Sequence, residues 1–508
     1  MWLYELLVAA SRRITGLADR SAPALIAAVL STMAALLLLA ATAKAFWHDE
    51  IYTILVARLP LATMWRAALD GIDLAPPLNT VMTRAVHLIA GPGPIATRLP
   101  PLAGFFTAAV VIFVLLRRRT NAAVALTGVL LLWFTPAREA AIEARGYGLS
   151  LGFFALAWFG WSEAALEKRP RPYLILMAAS LALGVWSHYY LVLAFVPLAA
   201  GELVRQIVRR RLDWQPWLAF TVAGLATLPL GAIARVAGAQ QATFWARASA
   251  ANLIDTYAFV THPWDRANVH DASLVIAVIA ILELARRIVR RDWPRRMAAH
   301  DAAAAVVTVA LPMIGVLLGS FVGTYAERYV LFTVAGLALC LPWLAWCLTP
   351  KHGLADAMGL LVMAHAFLGT ARHDFQDRPR FSNPFQSHPA LAVALGGTDP
   401  VVITGGVRYL ALWYYAPAGS GGRAVYLADP SAELAFDQTD TVDRGYEALG
   451  RWTEVPVRPF DGFVQANRRF LLYTVEPQWI APSLERLQAQ RLERARDRGG
   501  VLYEIRLP

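Results

Sequence analysis

The sequence is short of charge, of lysine and of cysteine. Charged residues fill 16% of its 508 positions and hydrophobic ones 57%, whereas a soluble domain averages roughly 25% charged and about 45–50% apolar. Mean hydropathy is +0.46. That deficit excludes a soluble multidomain enzyme and a disordered chain. Several apolar runs near 18 residues or more instead point to a polytopic membrane protein. Only Lys44, Lys168 and Lys351 are lysines, so 44 of the 47 basic residues are arginine, and an isolated arginine is weak grounds for phosphate binding. The two cysteines, Cys340 and Cys347, exclude a disulfide scaffold. Seven positions along a helix is about 10.5 Å, beyond disulfide reach, and they read as packing residues. No P-loop, paired GxGxxG, HExxH, GxSxG or CxxC pair occurs, which leaves nucleotide-driven transport, zinc proteolysis and serine hydrolysis without support. The net charge of +11 calls for no nucleic acid, because cytoplasmic loops of polytopic proteins collect arginine and lysine.

What is present is a regular alternation of apolar runs and arginine clusters. Arg12, Arg13 and Arg20 precede a run over 22–45, which suits a first span with its amino terminus in the cytoplasm. The stretch ATAKA at 41–45 faintly resembles a signal-peptidase site, but the run before it exceeds the roughly 7–15 residues of an h-region, which favours an uncleaved span. Further runs at 95–116, 122–136, 147–165, 173–187, 189–207, 216–236, 272–288, 303–323, 329–349 and 353–370 bring the total to eleven. Clusters at 117–119, 167–171, 205–211 and 286–296 then all fall in the cytoplasm, as the positive-inside rule requires. This parity holds if segment 77–90 does not cross. It is short, carries Arg84 and His87, lies between Pro77 and the GPGP at 91–94, and reads as a helix in the outer interface. Residues 46–94 become one long extracytoplasmic loop.

After 370 the composition turns ordinary. Strand-like runs at 400–406, 423–428, 468–475 and 501–507 alternate with helix-like stretches, the charged 485–498 among them. They predict a small α/β domain with a largely parallel sheet. The fold class is thus a polytopic α-helical membrane protein of about eleven transmembrane helices. Residues 1–370 would form the membrane domain and 371–508 an extracytoplasmic α/β domain.

The chemistry-bearing residues collect on the outer side. FWHDEIY at 46–52 sets Asp49 beside Glu50 where the first span ends. A plain helix start, with Asp49 as N-cap and Glu50 in the first turn, competes at even odds with a general base. Adjacent helical residues diverge, so one carboxylate at most faces the chemistry. REAAIEARGYGL at 138–149 supplies Glu139 and Glu143, four apart and on one helix face if helical, followed by Arg145 and Tyr147. A local ion-pair network would explain that group equally well. His188 in SHYY and Glu327, Arg328 and Tyr329 in TYAERYV stand at other outer span ends, where interfacial anchoring is the commoner role. HPWDR at 262–266 with His270 and Asp271 matches no strong zinc spacing. Convergence on one side of the membrane raises the odds of a site above those of any single residue.

In this arrangement the sequence resembles the polytopic GT-C glycosyltransferases that use polyprenyl-phosphate sugars, the group that includes protein O-mannosyltransferases and lipid A aminoarabinose transferases. The likeness spans about residues 22–350. It rests on Asp49-Glu50 with Tyr52, Pro76-Pro77-Leu78, Arg98-Leu99-Pro100, the EARGY string from Glu143 to Tyr147, His188-Tyr189 and Arg328-Tyr329. Ala75 departs from it, standing where a histidine often precedes the prolines. The resemblance implies an inverting transfer of a sugar from a polyprenyl-phosphate donor to an acceptor hydroxyl on a lipid, glycan or protein. The setting would be the outer face of a bacterial cytoplasmic membrane, among membrane lipids. Asp49 would act as base, with Glu50 beside it and Glu143 as second acidic residue. Arg145 and Arg328 would contact phosphate, and Tyr147, His188 and Tyr329 would orient the donor. No cofactor is certain; a divalent metal ion stays open, with Glu143 as its candidate ligand. Two alternatives remain: a transporter or lipid flippase for an anionic or lipid-linked substrate, and a membrane-anchored binding protein whose active part is the outer domain. The nearly charge-free span middles argue against a transporter.

Overall fold

The computed structural model describes residues 2–166, 170–261, 297–349, 353–378, 380–420 and 422–508. Ten of the eleven expected spans lie in the described residues, and helix occupies every one of them. The run at 272–288 and the histidine-aspartate pairs at 262–271 lie outside those residues. Among the described residues six helices are long and apolar enough to cross a membrane, from Ala22–Ala43 and Pro94–Arg119 to Leu354–Gln376. The chain is a multi-pass membrane protein. An additional helix, Trp2–Arg20, precedes the first span.

Small residues let the central helices approach. Pro94–Arg119 crosses Tyr147–Ala164 where Gly104 faces Gly148 and Gly152, and a methyl group on Gly104 would collide with the Gly148 carbonyl. Such contacts are the usual way membrane helices pack, since lipid supplies no hydrophobic drive between them. At one end of the bundle the arginine clusters are paired: Arg118 with Glu163, Arg117 with Asp19, and Arg205 with Glu202 at 2.6 Å and Asp213 at 2.8 Å. The residues singled out above for chemistry gather at the other end.

That end is built from the loop at 46–94. Segment 77–90 forms a 13-residue helix, Leu78–Ala90, with Leu88 and Ile89 exposed. Ahead of it lie His48–Ala57 and Leu61–Leu69. The helix His48–Ala57 is buried from Glu50 to Ala57. Its apolar side shares one core with the C-terminal region, Ile51, Ile54 and Leu55 packing with Leu391, Tyr409 and Tyr446.

The C-terminal region is a six-stranded sheet of order β3-β2-β1-β4-β6-β5, with β1 Val401–Ile403, β2 Ala424–Ala428, β3 Val457–Pro459, β4 Arg469–Thr474, β5 Gln490–Arg496 and β6 Val501–Arg506. Strands β3, β2, β1 and β4 run parallel, while β6 and β5 are antiparallel additions, so the sheet is mixed. The four strand-like runs of the sequence are β1, β2, β4 and β6. The charged stretch at 485–498 is not a helix: the helix Ile480–Arg486 stops, and β5 forms the sheet edge. Its arginines and glutamate guard an edge that would otherwise template aggregation.

One ion pair joins these parts. Glu50 and Arg98 are both fully buried and meet through two hydrogen bonds, 2.7 Å from Nε and 2.8 Å from Nη2. Arg98 also donates to the carbonyls of Ala41 and Lys44 at the end of the first span, and lies over the Phe46 ring. Glu50 additionally accepts from the Ala144 amide at 3.0 Å. Breaking one partner of a buried pair strands the other, at a cost of roughly 3–5 kcal/mol. Glu50→Gln should therefore lower the melting temperature of the detergent-solubilised protein far more than Asp49→Asn does, and equal melting curves for the two variants would contradict this assignment.

Candidate functional site

A cavity of about 870 Å³ opens beside the start of His48–Ala57. Asp49, Arg145, Tyr147, His188, Arg328 and Tyr329 all line it, as do His48, Asp73 and Tyr189. Glu50 and Glu143 do not. The two adjacent acids diverge as helical geometry demands: Glu50 points into the bundle onto Arg98, and Asp49 points into the cavity. Asp49 is not the N-cap, since the helix begins at His48 after Trp47. Its carboxylate instead meets His48 Nδ1 at 3.1 Å and Arg145 Nε at 3.8 Å.

The backbone at Ala144 explains where Arg145 sits. Its N–H donates to Glu50, while its carbonyl accepts from Thr53 and from Asn79, each at 3.0 Å. The segment is thereby held against the first loop by residues on both sides of the double proline. Arg145 reaches from this anchor into the cavity, 3.0 Å from Asp73. Glu139 and Glu143 are not on one helix, because a single helical turn, Ala137–Ala140, gives way to turns through the EARG string. Gly146 follows, pressed so closely on the Ser187 carbonyl that a side chain would not fit.

Aromatic rings form the opposite wall. His188 lies between Tyr147 and Tyr329, with ring centroids 5.1 Å and 5.3 Å away. The Arg328 guanidinium sits 5.4 Å from the Trp245 ring and 5.9 Å from that of Tyr147. Arg145 is balanced by carboxylates, but Arg328 has no salt-bridge partner among the described residues, and its Nε has no hydrogen-bond partner there. Apolar Val185, Val192, Leu230, Leu318 and Val322 line the rest of the cavity.

Electrostatics separates the acids. Burial alone would raise the Asp49 carboxyl, but Arg145, His48 and Arg328 hold it well below the usual carboxylate range. Glu143 is shifted upward, chiefly by burial, against the opposing pull of Lys44, and its Oε1 has no partner among the described residues. Burial and the two arginines push His188 down to about 3. Among the described residues no group of three His, Cys, Asp or Glu could hold a metal ion. Glu143 is not among the residues that line the cavity, although it interacts electrostatically with Asp49 and Arg328. Sequence reasoning missed His48 and Asp73, although both lie in the loop it had singled out, Asp73 three residues before the double proline.

No family model matches the sequence, and no curated protein does either. Solved structures do. ArnT from Cupriavidus metallidurans in the apo state superposes with a TM-score of 0.55 at 12% identity, over 96% of this chain and 98% of that one. The same protein bound to undecaprenyl phosphate gives 0.51 at 14% identity, over 94% and 97%. The chain shares the overall fold of ArnT. AglB from Archaeoglobus fulgidus, an archaeal oligosaccharyltransferase in complex with an inhibitory peptide and a dolichol phosphate, gives 0.43 at 11% identity, over 87% and 69%.

The His188 shift has a testable consequence. Below pH 6.5 the unfolded chain binds a proton that the native histidine refuses until about pH 3, so this residue makes stability fall as pH drops through that window. His188→Gln should flatten the decline of melting temperature between pH 7 and 5. An unchanged slope would place His188 in an environment open to protonation.

Proposed function

We propose that the protein is an inverting glycosyltransferase that moves a sugar from a polyprenyl phosphate to an acceptor hydroxyl. The observation that carries this reading is a carboxylate, Asp49, facing the same cavity as Arg328, a cation with no salt-bridge partner among the described residues. A polyprenyl phosphate is already a good leaving group, and it needs positive charge more than it needs a strong acid. The apolar remainder of the cavity suits a prenyl chain. The fold is shared with ArnT, whose structure was also determined with undecaprenyl phosphate bound.

In this mechanism Asp49 takes the proton of the acceptor hydroxyl as its oxygen bonds to the anomeric carbon. The bond from that carbon to the phosphate oxygen breaks on the opposite face, and its electron pair leaves with the prenyl phosphate. Arg328 and Arg145 stabilise the departing charge, while Tyr147, His188 and Tyr329 form the wall against which the donor headgroup lies. His188, kept neutral, adds no competing charge. Glu50 is committed to Arg98 and Glu143 does not line the cavity, so we assign the base to Asp49 alone. We place the site and the C-terminal domain on the periplasmic face of a bacterial inner membrane, following the arginine clusters. A reporter active only in the periplasm should be active when fused after Pro508; activity from a cytoplasm-only reporter would reverse the orientation.

Asp49→Asn keeps size and shape but removes the proton acceptor. Transfer from a purified polyprenyl-phosphate sugar in nanodiscs should fall by roughly 10²–10⁴-fold, the usual contribution of a positioned base, with the melting temperature nearly unchanged. Wild-type transfer by this variant would end the assignment of Asp49 as base.

A further inference from the structure

We propose that Asp73 is a positioning residue that holds Arg145 off the catalytic carboxylate, so that Asp49 stays open to the acceptor hydroxyl and Arg145 stays turned toward the donor phosphate. This rests on the function proposed above and adds a residue that neither the sequence nor the fold comparison had singled out.

Three observations carry it. Arg145 stands between two carboxylates and is unequally shared, with Nη1 3.0 Å from Asp73 and Nε 3.8 Å from Asp49. The nearer contact is a hydrogen-bonded ion pair, while the farther is an electrostatic neighbour without a hydrogen bond at that distance. Asp73 is itself fixed, its other oxygen accepting from the Ala75 amide at 3.0 Å. Finally, the backbone of Arg145 cannot retreat, since the adjacent Ala144 is bonded through both its N–H and its carbonyl. With its base anchored, only the guanidinium can swing, and Asp73 decides where it rests. Without that pull the next carboxylate within reach is Asp49, whose Oδ2 is 3.8 Å from Nε. A closed Arg145–Asp49 pair would occupy the oxygen that must receive a proton.

The arrangement also sets the charge the donor meets. Removing the Asp73 charge makes the cavity one unit more positive even with Arg145 drawn onto Asp49, so it becomes more attractive to a phosphate and less able to carry out transfer. A purely structural aspartate would lower both together.

The test uses the full-length protein in nanodiscs, with farnesyl phosphate and farnesol as binding probes and transfer from a polyprenyl-phosphate sugar as the activity. Asp73→Asn should bind farnesyl phosphate roughly two- to fivefold more tightly, the scale of one partly exposed ion pair. Its kcat should fall by up to about 10²-fold, as for a misplaced catalytic geometry. Asp73→Glu should keep wild-type affinity and recover most of kcat. Combining Asp73→Asn with Arg145→Gln should be no slower than Arg145→Gln alone. Unchanged kcat in Asp73→Asn, or a joint loss of kcat and phosphate affinity with a lowered melting temperature, overturns the proposal. If Asp73→Asn does not fold, an Asp73→Glu variant as inactive as a charge deletion overturns it equally, and one with wild-type affinity and most of kcat supports it. Wild-type protein that does not prefer farnesyl phosphate over farnesol contradicts the underlying function instead.

Discussion

The buried bond between Glu50 and Arg98 is the contact on which the remaining geometry depends. An arginine in an otherwise apolar helix start is costly unless a carboxylate meets it in a fixed, two-pronged geometry. Here the carboxylate comes from the loop that follows the preceding span, and the arginine bonds back to the carbonyls where that span ends. The same carboxylate takes the Ala144 amide. Three distant pieces of chain thus meet on two side chains: the end of the first span, the start of the second and the EARGY turn. The position of Asp49 follows, because it is the next residue along the same short helix.

This division of labour between neighbours explains why a pair of acids is useful at all. Residues adjacent on a helix point about 100° apart, so one member can be committed to the framework while the other enters the cavity. The framework member is desolvated and satisfied, and the cavity member is partly open beside cations. The same backbone turn serves both, so the geometry of the cavity-facing carboxylate is inherited from the rigid one.

Much of this was legible in the sequence. The ten apolar runs that lie in the described residues are helical because hydrophobic length is a local property of a chain. Asp49, Arg145, Tyr147, His188, Arg328 and Tyr329 could be singled out because all follow or precede spans of one parity. What could not be read were partnerships. Nothing in FWHDEIY says which acid finds Arg98, although a buried arginine in RLP could have prompted a search for its partner. Asp73 looked like an ordinary loop residue until the chain placed it against Arg145. The stretch at 485–498 misled for a different reason: its alternating charges suit a helix in isolation, but the neighbouring β6 offers an unpaired edge, and tertiary pairing overrides local preference.

The C-terminal sheet is not a separable attachment. Ile51, Ile54 and Leu55, from the helix that carries Asp49, are buried in the same core as Leu391, Tyr409 and Tyr446. Tyr446 meets the His48 ring edge-on, with centroids 5.7 Å apart, and Gly445 lies so close to the Tyr52 hydroxyl that a methyl group there would crowd it. The amide of Phe46 donates to the Tyr415 hydroxyl at 2.8 Å, and Asp70 bonds Arg451 and Trp452. Removing 371–508 would expose the apolar side of the very helix that carries Asp49, and each large buried side chain there is worth roughly 1.5–3 kcal/mol. Loss of activity on truncation would therefore be expected even if the domain touched no substrate. It cannot serve as grounds for placing the active part of the molecule in the domain. Only substitutions on the cavity face of the sheet domain, at Thr441, Val442 or Gly445, can separate a wall that contacts the acceptor from a core that holds the loop in place.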